Sequence, residues 1–549
     1  MSRENLRANI AHHGEKLGGI WSDMNREKKP RDLIRRLKIP GTTQYKRSSI
    51  RMAELARNYH NQLQAVPPHQ NEQMRATKID VELETIPNAQ KLDDPENSSM
   101  NRLISENSVK RAIKDAKNKS ATGMDGCPYE LWKKLIQRHD EEKNAKGFDI
   151  IKTLTRVFND IQNKGVEPNT NFALGWICPI YKKKDRTEIS NYRPITLLNT
   201  DYKILTKALA LQLIESIETM IHPNQAGFIP KRSIFNQIKL ARTIINYTEI
   251  TEEDGAIIAL DQEKAYDKIR HDYLWATLNK FDIPPIFTQT IKALYDHAYT
   301  QVAINGILST PYKVTRGVRQ GDPLSCALFD LAIEPLACKL RNDPNIKGIN
   351  VSGTEEKIIT SLFADDMNLY LSKDNHMDTV QEILNNWCQA SGAKFNLEKT
   401  EIIPFGTEPH RTQVATTRKI NQRDTNTLDE RIKITKEGES IRILGARIGN
   451  NSDEETPWEP IVDKVQQALK SWNRFHPTLD GRKLIIQITI GGLTQFLTKA
   501  QGMLKRIEDV LTKISRDFIW QDSANPRIAL KTLYQPVEDG GLNLLDINV

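Results

Sequence analysis

Ile358-Ile-Thr-Ser-Leu-Phe-Ala-Asp-Asp-Met-Asn-Leu-Tyr-Leu371 is the stretch on which the fold of this chain turns. Two apolar runs, 358–364 and 367–371, flank the adjacent carboxylates Asp365 and Asp366. The runs read as strands, and the acidic pair reads as the tip of the hairpin between them. Two like charges between such apolar flanks cannot easily reach bulk water, which is costly unless a cation or a shifted pKa offsets it. Acidic pairs also occur at Asp93-Asp94, Glu141-Glu142, Glu252-Glu253, Glu355-Glu356 and Glu454-Glu455, and most of these read as solvated loops.

A third acid lies upstream. The run Ala256-Ile-Ile-Ala-Leu260 reads as a short strand that ends in Asp261, at the end where side chains emerge into a cleft. If that strand lies beside the 358–371 hairpin, Asp261 meets Asp365 and Asp366. Three carboxylates without histidine or thiolate make a hard, all-oxygen site, which selects Mg²⁺ or Mn²⁺ over zinc. Such a site suits two ions about 3.5–4 Å apart, one activating a hydroxyl and the other holding phosphate oxygens and a leaving pyrophosphate.

Around this centre, 549 residues suit two to four subdomains, and 38% hydrophobic residues are enough for a sizeable core. No window approaches the roughly 18–20 uninterrupted apolar residues of a membrane helix, and 484–493 comes nearest. The first residues lack the apolar segment of a secretory signal. Cys127, Cys178, Cys326, Cys338 and Cys388 form no CxxC, which excludes a zinc finger and points to a reducing compartment. The formal net charge of +8 is wholly in residues 1–60, with 14 Lys/Arg against 6 Asp/Glu. A basic arm on a neutral body reads either as a polyanion-binding segment or as a solvated helix face.

Helical spacing is expected over 49–64, 148–163, 201–221, 233–247 and 325–340, and a helical region from Ile104 towards Trp132 is broken by a loop at 120–128. Residues 66–100 are Pro/Asn-rich and read as a linker or loosely packed excursion. Residues 173–181 read as a strand, and 301–314 as a hairpin turning at Asn305-Gly306. Strands alternate with charged stretches from 402 to 448, and helices dominate from 457. The pattern is α+β followed by an all-α unit.

Six blocks in order over about 173–449 resemble the motifs of reverse transcriptases. Asn191-Tyr-Arg-Pro-Ile-Thr-Leu-Leu-Asn199 is similar to the fingers motif. Leu260-Asp-Gln-Glu-Lys-Ala-Tyr-Asp267, Arg319-Gln-Gly-Asp-Pro-Leu-Ser325 and Phe363-Ala-Asp-Asp366 are similar to the palm motifs. Gly392-Ala-Lys-Phe-Asn-Leu-Glu-Lys-Thr400 and Ile443-Leu-Gly-Ala446 are similar to the two that follow. The wording resembles non-LTR (LINE-type) retrotransposons, whose extra block between fingers and palm is similar to Gln225-Ala-Gly-Phe228. Phe518-Ile-Trp520 and Gly540-Gly-Leu-Asn-Leu-Leu-Asp546 resemble the region after their polymerase core.

The resemblance implies a right-hand polymerase fold of fingers, palm and thumb. It sets a basic N-terminal extension and linker over 1–100, a helical region and fingers over 101–255, a palm with part of the fingers over 256–449, and a helical thumb over 455–549. It also implies RNA-directed DNA synthesis: a primer 3′-hydroxyl attacks a dNTP on an RNA template. Asp261 and Asp365 would ligate two Mg²⁺ (or Mn²⁺) ions directly, with Asp366 completing the charge.

Arg193 would clamp the triphosphate, or form a surface salt bridge. Lys182 would be a second phosphate contact, or part of a solvated basic turn with Lys183 and Lys184, the last of which stands where relatives often have glycine. Tyr266 would exclude a ribose 2′-hydroxyl, or be an ordinary packed aromatic. Gln320 and Gly321 would open the helix lining the nucleotide site, with Pro323 in its first turn. Lys399 would protonate the departing pyrophosphate, or be an edge-strand charge. Leu444 and Gly445 would form the turn that holds the primer end.

Trp458, Trp472, Phe475, Phe496, Phe518 and Trp520 read as helical core of the thumb. Lys28-Lys-Pro-Arg31 and Arg35-Arg36 would hold RNA through its backbone. The 172 residues before Ala173 are too few for the endonuclease that usually precedes such polymerases, which implies a partial element product. An RNA-binding remnant without catalysis and a viral-type RNA polymerase are alternatives to this, and Tyr266 and Ala364 argue against the second. The family implies the nucleus; the sequence alone is compatible with nucleus or cytoplasm.

Overall fold

In a computed structural model of the chain, residues 33–65, 72–141, 148–168, 170–354, 356–520 and 528–547 are described. The cluster Lys28-Lys-Pro-Arg31 and residues 66–71 of the expected linker lie outside them. The described residues divide into two units, 33–237 with 245–435 and 238–244 with 436–547.

In the larger unit the strand Gly255–Leu260 sits in the middle of a five-stranded sheet. Five of its six residues are buried, as an unbroken apolar run requires when both faces are covered. Asp366–Ser372 and Glu401–Phe405 flank it, both antiparallel. Thr360–Phe363 closes one edge, and Lys433–Ile434, parallel to Glu401–Phe405, closes the other. The helix Thr200–Met220 buries 12 of its 21 residues, and Ser325–Asn342 buries 14 of 18. Helices apolar on nearly every side belong in an interior, and both enter the main hydrophobic core with the central sheet.

A second sheet runs Tyr192–Leu198, Leu174–Tyr181, Tyr299–Ile304, Ile307–Leu308. Leu174–Tyr181 pairs parallel to Tyr299–Ile304, and the other pairings are antiparallel. Asn305 and Gly306 both take positive φ (+54° and +85°), the two-residue turn that Asn-Gly favours. The helix Ser49–Leu63 buries Met52, Ala53 and Ala56 in a cluster with Ile177, Val302 and Ile304. Asn305 fastens the start of this segment, accepting from Ile34 N–H at 3.0 Å and donating to its C=O at 2.9 Å.

The expected loose linker is corrected by the structure. Residues 72–83 form the helix Glu72–Leu83, and Ile79, Leu83, Ile86, Leu92 and Met100 all enter the main core. Polar composition misled because two of its charged side chains, Arg75 and Glu82, are themselves buried. A helix Glu408–Thr417 also interrupts the expected strand alternation.

The smaller unit opens with the hairpin Ile441–Ile443/Ala446–Ile448 and continues as helices Glu459–Asn473, Leu479–Ile486, Gly492–Gln501, Lys505–Trp520 and Leu530–Tyr534. Trp458 and Phe518 are buried in its core, Trp472 and Trp520 pack against it, and Phe475 and Phe496 are exposed. Arg482, also buried, donates to the carbonyls of Pro477 (3.1 Å) and Phe518 and to Asn473 Oδ1 (3.2 Å). All five cysteines are free. Among the described residues no helix is long and apolar enough to cross a membrane.

Candidate active site

Strand register brings the acids together. Met367 pairs with Leu260, so the next step of the antiparallel ladder sets Asp366 opposite Asp261. Phe363 pairs with Asp366, which leaves Ala364 and Asp365 as a two-residue turn. The Asp pair is thus split: Asp365 sits in the turn and Asp366 is the first residue of the returning strand. Partial desolvation, then Asp365 and Asp261, push Asp366 up to about 6. Asp365 is raised by burial and by Asp261, against the pull of Lys182 and Arg193.

Lys399 reaches the same place from a different element. The backbone N–H of Asn396 donates to Asp261 C=O at 2.8 Å, and Glu263 N–H to Lys394 C=O at 2.8 Å. This short ladder leads into the 3-10 turn Leu397–Lys399, and Lys399 Nζ donates to Asp261 Oδ2 at 3.0 Å. Among the described residues no three His, Cys, Asp or Glu side chains stand close enough to share a metal ion. Asp261 is instead paired with Lys399. The donor set fits such an ion: oxygen-only, without thiol or imidazole, with Asp365 and Asp366 both raised by burial and by neighbouring carboxylates.

Basic side chains face the acids from the second sheet. Lys182 lowers both Asp365 and Asp366, while Arg193, exposed on the strand Tyr192–Leu198, lowers Asp365. Lys183 and Lys184 do not figure among those influences. Lys184 takes φ +71°, the conformation glycine adopts without penalty.

Gln320 and Gly321 do not open the helix, which starts at Ser325 with Leu324 at its N-cap; they and Pro323 form the loop before it. Asp322 replaces them at the helix start, accepting from Leu324 N–H at 3.1 Å. The loop instead holds Arg193's strand. Gln320 C=O accepts from Thr196 N–H at 2.8 Å, and a Cβ at position 321 (φ +118°) would stand 2.4 Å from Thr196 O.

The Tyr266 ring stacks on Phe329 with centroids 4.7 Å apart. Burial, then Cys326, Asp330 and Asp365, raise its hydroxyl well above the usual phenol range, so the ring stays neutral beside the acids. Leu444 and Gly445 belong to the smaller unit, where both take positive φ (+50° and +97°) in the two-residue turn of the hairpin Ile441–Ile443/Ala446–Ile448. Phe496 lies against Gly445, 3.0 Å from where a Cβ would be.

Sequence reasoning passed over Lys264 and gave Gln225 no task. Lys264 Nζ donates to Ser190 C=O at 3.1 Å, and Lys182 and Lys399 are both near enough to depress it after burial has done so. Its signal was its place three residues after Asp261. Gln225 is bonded to the turn that bears Asp365.

The family model described as reverse transcriptase (RNA-dependent DNA polymerase) matches residues 181–448. The chain is 29% identical over 449 residues to the 149 kDa protein of transposon TX1 from Xenopus laevis, covering 80% of this chain and 32% of that protein. It is 29% identical over 222 residues to the Retrovirus-related Pol polyprotein from type-1 retrotransposable element R2 of Popillia japonica, 40% of this chain and 30% of that one. With the RNA-directed DNA polymerase from mobile element jockey of Drosophila funebris it shares 23% identity over 262 residues, 46% of this chain and 27% of that protein. The chain thus spans about a third of the length of these curated relatives. Residues 181–448 are a reverse transcriptase domain, similar in sequence to those of non-LTR retrotransposon proteins.

Proposed function

We propose that this chain is an RNA-directed DNA polymerase, extending a DNA primer with dNTPs on an RNA template in the nucleus or the cytoplasm. The reading that goes with it is a right-hand architecture, with the palm and part of the fingers over 256–449, a helical region and the rest of the fingers over 101–255, the thumb over 455–549, and an N-terminal extension over 1–100 whose basic excess lies in its first 60 residues. The observation that carries the proposal is the ladder register that sets Asp366 opposite Asp261, with Asp365 in the adjoining turn.

Asp261 and Asp365 would hold two Mg²⁺ ions (or Mn²⁺), and Asp366 would add charge to the site. When bound, the ions supply Lewis acidity to the primer hydroxyl and to the triphosphate. Arg193 and Lys182 bind and orient the triphosphate from the opposite sheet, and Gln320 and Gly321 hold Arg193's strand in place. Tyr266 closes the space beside the sugar, so a 2′-hydroxyl meets the ring. Lys399, whose ammonium stands at Asp261, gives its proton to the departing pyrophosphate. Leu444 and Gly445 approach the primer end by backbone.

The test is extension of a labelled DNA primer on an RNA template by the purified chain with Mg²⁺. Wild type should extend with dNTPs and poorly with NTPs, and Asp365→Asn should abolish incorporation. Equal incorporation by that variant would end the proposal.

A further inference from the structure

The turn that carries Asp365 begins at Ala364, whose φ of +55° is disfavoured for a residue with a Cβ. A turn in that conformation keeps its shape only where its surroundings fix it. Those surroundings are residues 224–227. Ala226 N–H donates to Leu362 C=O at 2.9 Å, and Leu362 N–H to Asn224 C=O at 2.8 Å. The segment therefore lies parallel beside the edge strand Thr360–Phe363, with Gln225 and Leu362 as partners.

Gln225 is fully buried and uses both ends of its amide. Oε1 accepts from Ala364 N–H at 2.9 Å and from Gly227 N–H at 2.8 Å, while Nε2 donates to Ala364 C=O at 3.3 Å. Gly227 permits the close approach, since a Cβ there would stand 2.2 Å from Ala364 N. Behind the segment, the Arg232 guanidinium donates to the carbonyls of Gln225 (2.8 Å), His222 (2.6 Å) and Ile221 (2.8 Å).

We propose that Gln225 is a positioning residue: its amide clamps both backbone polar groups of Ala364 and thereby fixes Asp365 and Asp366 against Asp261. The inference rests on the polymerase reading of those carboxylates. Primary amide chemistry is required, because one side chain must accept from the N–H and donate to the C=O of the same residue. Leucine would fill the volume and satisfy neither group. Ionised glutamate would keep the acceptor and turn a second one on the Ala364 carbonyl.

Hydrogen–deuterium exchange on the metal-free full chain reads the clamp directly. Gln225→Leu should raise exchange of a peptide spanning 361–367 by about tenfold or more, leaving Gly255–Leu260 and Ser325–Asn342 as in wild type. In primer extension the same variant should lose about a hundredfold in kcat. It should need several-fold more Mg²⁺ for half-maximal rate, with the dNTP KM within about twofold of wild type. Gln225→Glu, which retains the acceptor, should fall between the two and stands in if the leucine variant does not fold. Exchange and extension at wild-type levels in both variants would overturn the inference, as would exchange rising evenly through the core. Selective exchange at 361–367 in a wild-type background that never extends a primer would keep the clamp and remove the polymerase reading.

Discussion

Asp366 reaches solvent, yet it titrates as a crowded acid: desolvation, Asp365 and Asp261 push it up to about 6, and Asp365 is raised alongside. Protons and a divalent cation compete for these oxygens. Primer extension at limiting Mg²⁺ should therefore rise as pH passes through about 6, and the midpoint should fall as Mg²⁺ is raised. A midpoint indifferent to Mg²⁺ would assign the titration to another group. Stability of the metal-free protein runs the other way. A carboxyl raised on folding stabilises fully below its unfolded value of about 3.9, and that contribution is lost as pH rises through about 6. Asp366→Asn should accordingly gain on wild type in chemical denaturation as pH rises across that window. Tyr266 makes a separable case, because its ring both packs and faces the acids. Tyr266→Ala should cost about 3 kcal/mol of stability through the lost stack on Phe329. The same variant should lower discrimination against NTPs by at least about tenfold, whereas Tyr266→Phe should keep it. NTP rejection unchanged in the alanine variant would leave Tyr266 a packing residue alone.

Strands were the readable elements, because their apolar runs are short, bounded and end on informative residues. Gly255–Leu260 and the hairpin Thr360–Phe363/Asp366–Ser372 stand within a few residues of the expected bounds, and each acid could be located by the run it terminates. Partners remote in sequence carried no such mark. Gln225 and Ala364 are 139 positions apart and Lys264 and Ser190 are 74 apart, so neither bond leaves a local pattern. Glu72–Leu83 was obscured for a related reason: a buried arginine looks like a surface one until its partner is known. Arg75 is 5% exposed, donates to Asp272 Oδ1 at 2.8 Å and to Ala390 C=O at 2.7 Å, and its partner Asp272 is half exposed. The asymmetry fixes an order of costs. Asp272→Ala strands a buried guanidinium and should lose about 3 kcal/mol, while Arg75→Met replaces the charge with apolar volume and should lose about 1 kcal/mol. Denaturant midpoints give both values, and the reverse order would place the burden on the aspartate.

At the scale of the whole molecule the charge is the feature that composition alone exposed. The 64 Lys/Arg and 64 Asp/Glu after residue 60 cancel, so the formal excess of +8 belongs to the first segment. Part of that segment is described, and it is not a free arm. Ile34, Leu37 and the helix Ser49–Leu63 are anchored on the second sheet through Met52, Ala53, Ala56 and the Asn305 side chain. Arg35, Arg36, Arg47 and Arg51 are exposed on this anchored piece, with Arg36 lying over the Tyr45 ring at 4.6 Å. Fixed guanidinium groups beside a neutral body suit a polyanion's backbone better than its bases, because phosphate presents charge at every nucleotide and no sequence. Replacing these four arginines by glutamine should weaken RNA binding uniformly across sequences. The slope of log affinity against log salt should flatten by about 0.7 for each residue that meets a phosphate. An unchanged slope would make the four arginines a solvated face, and an RNA template would then have to be held elsewhere.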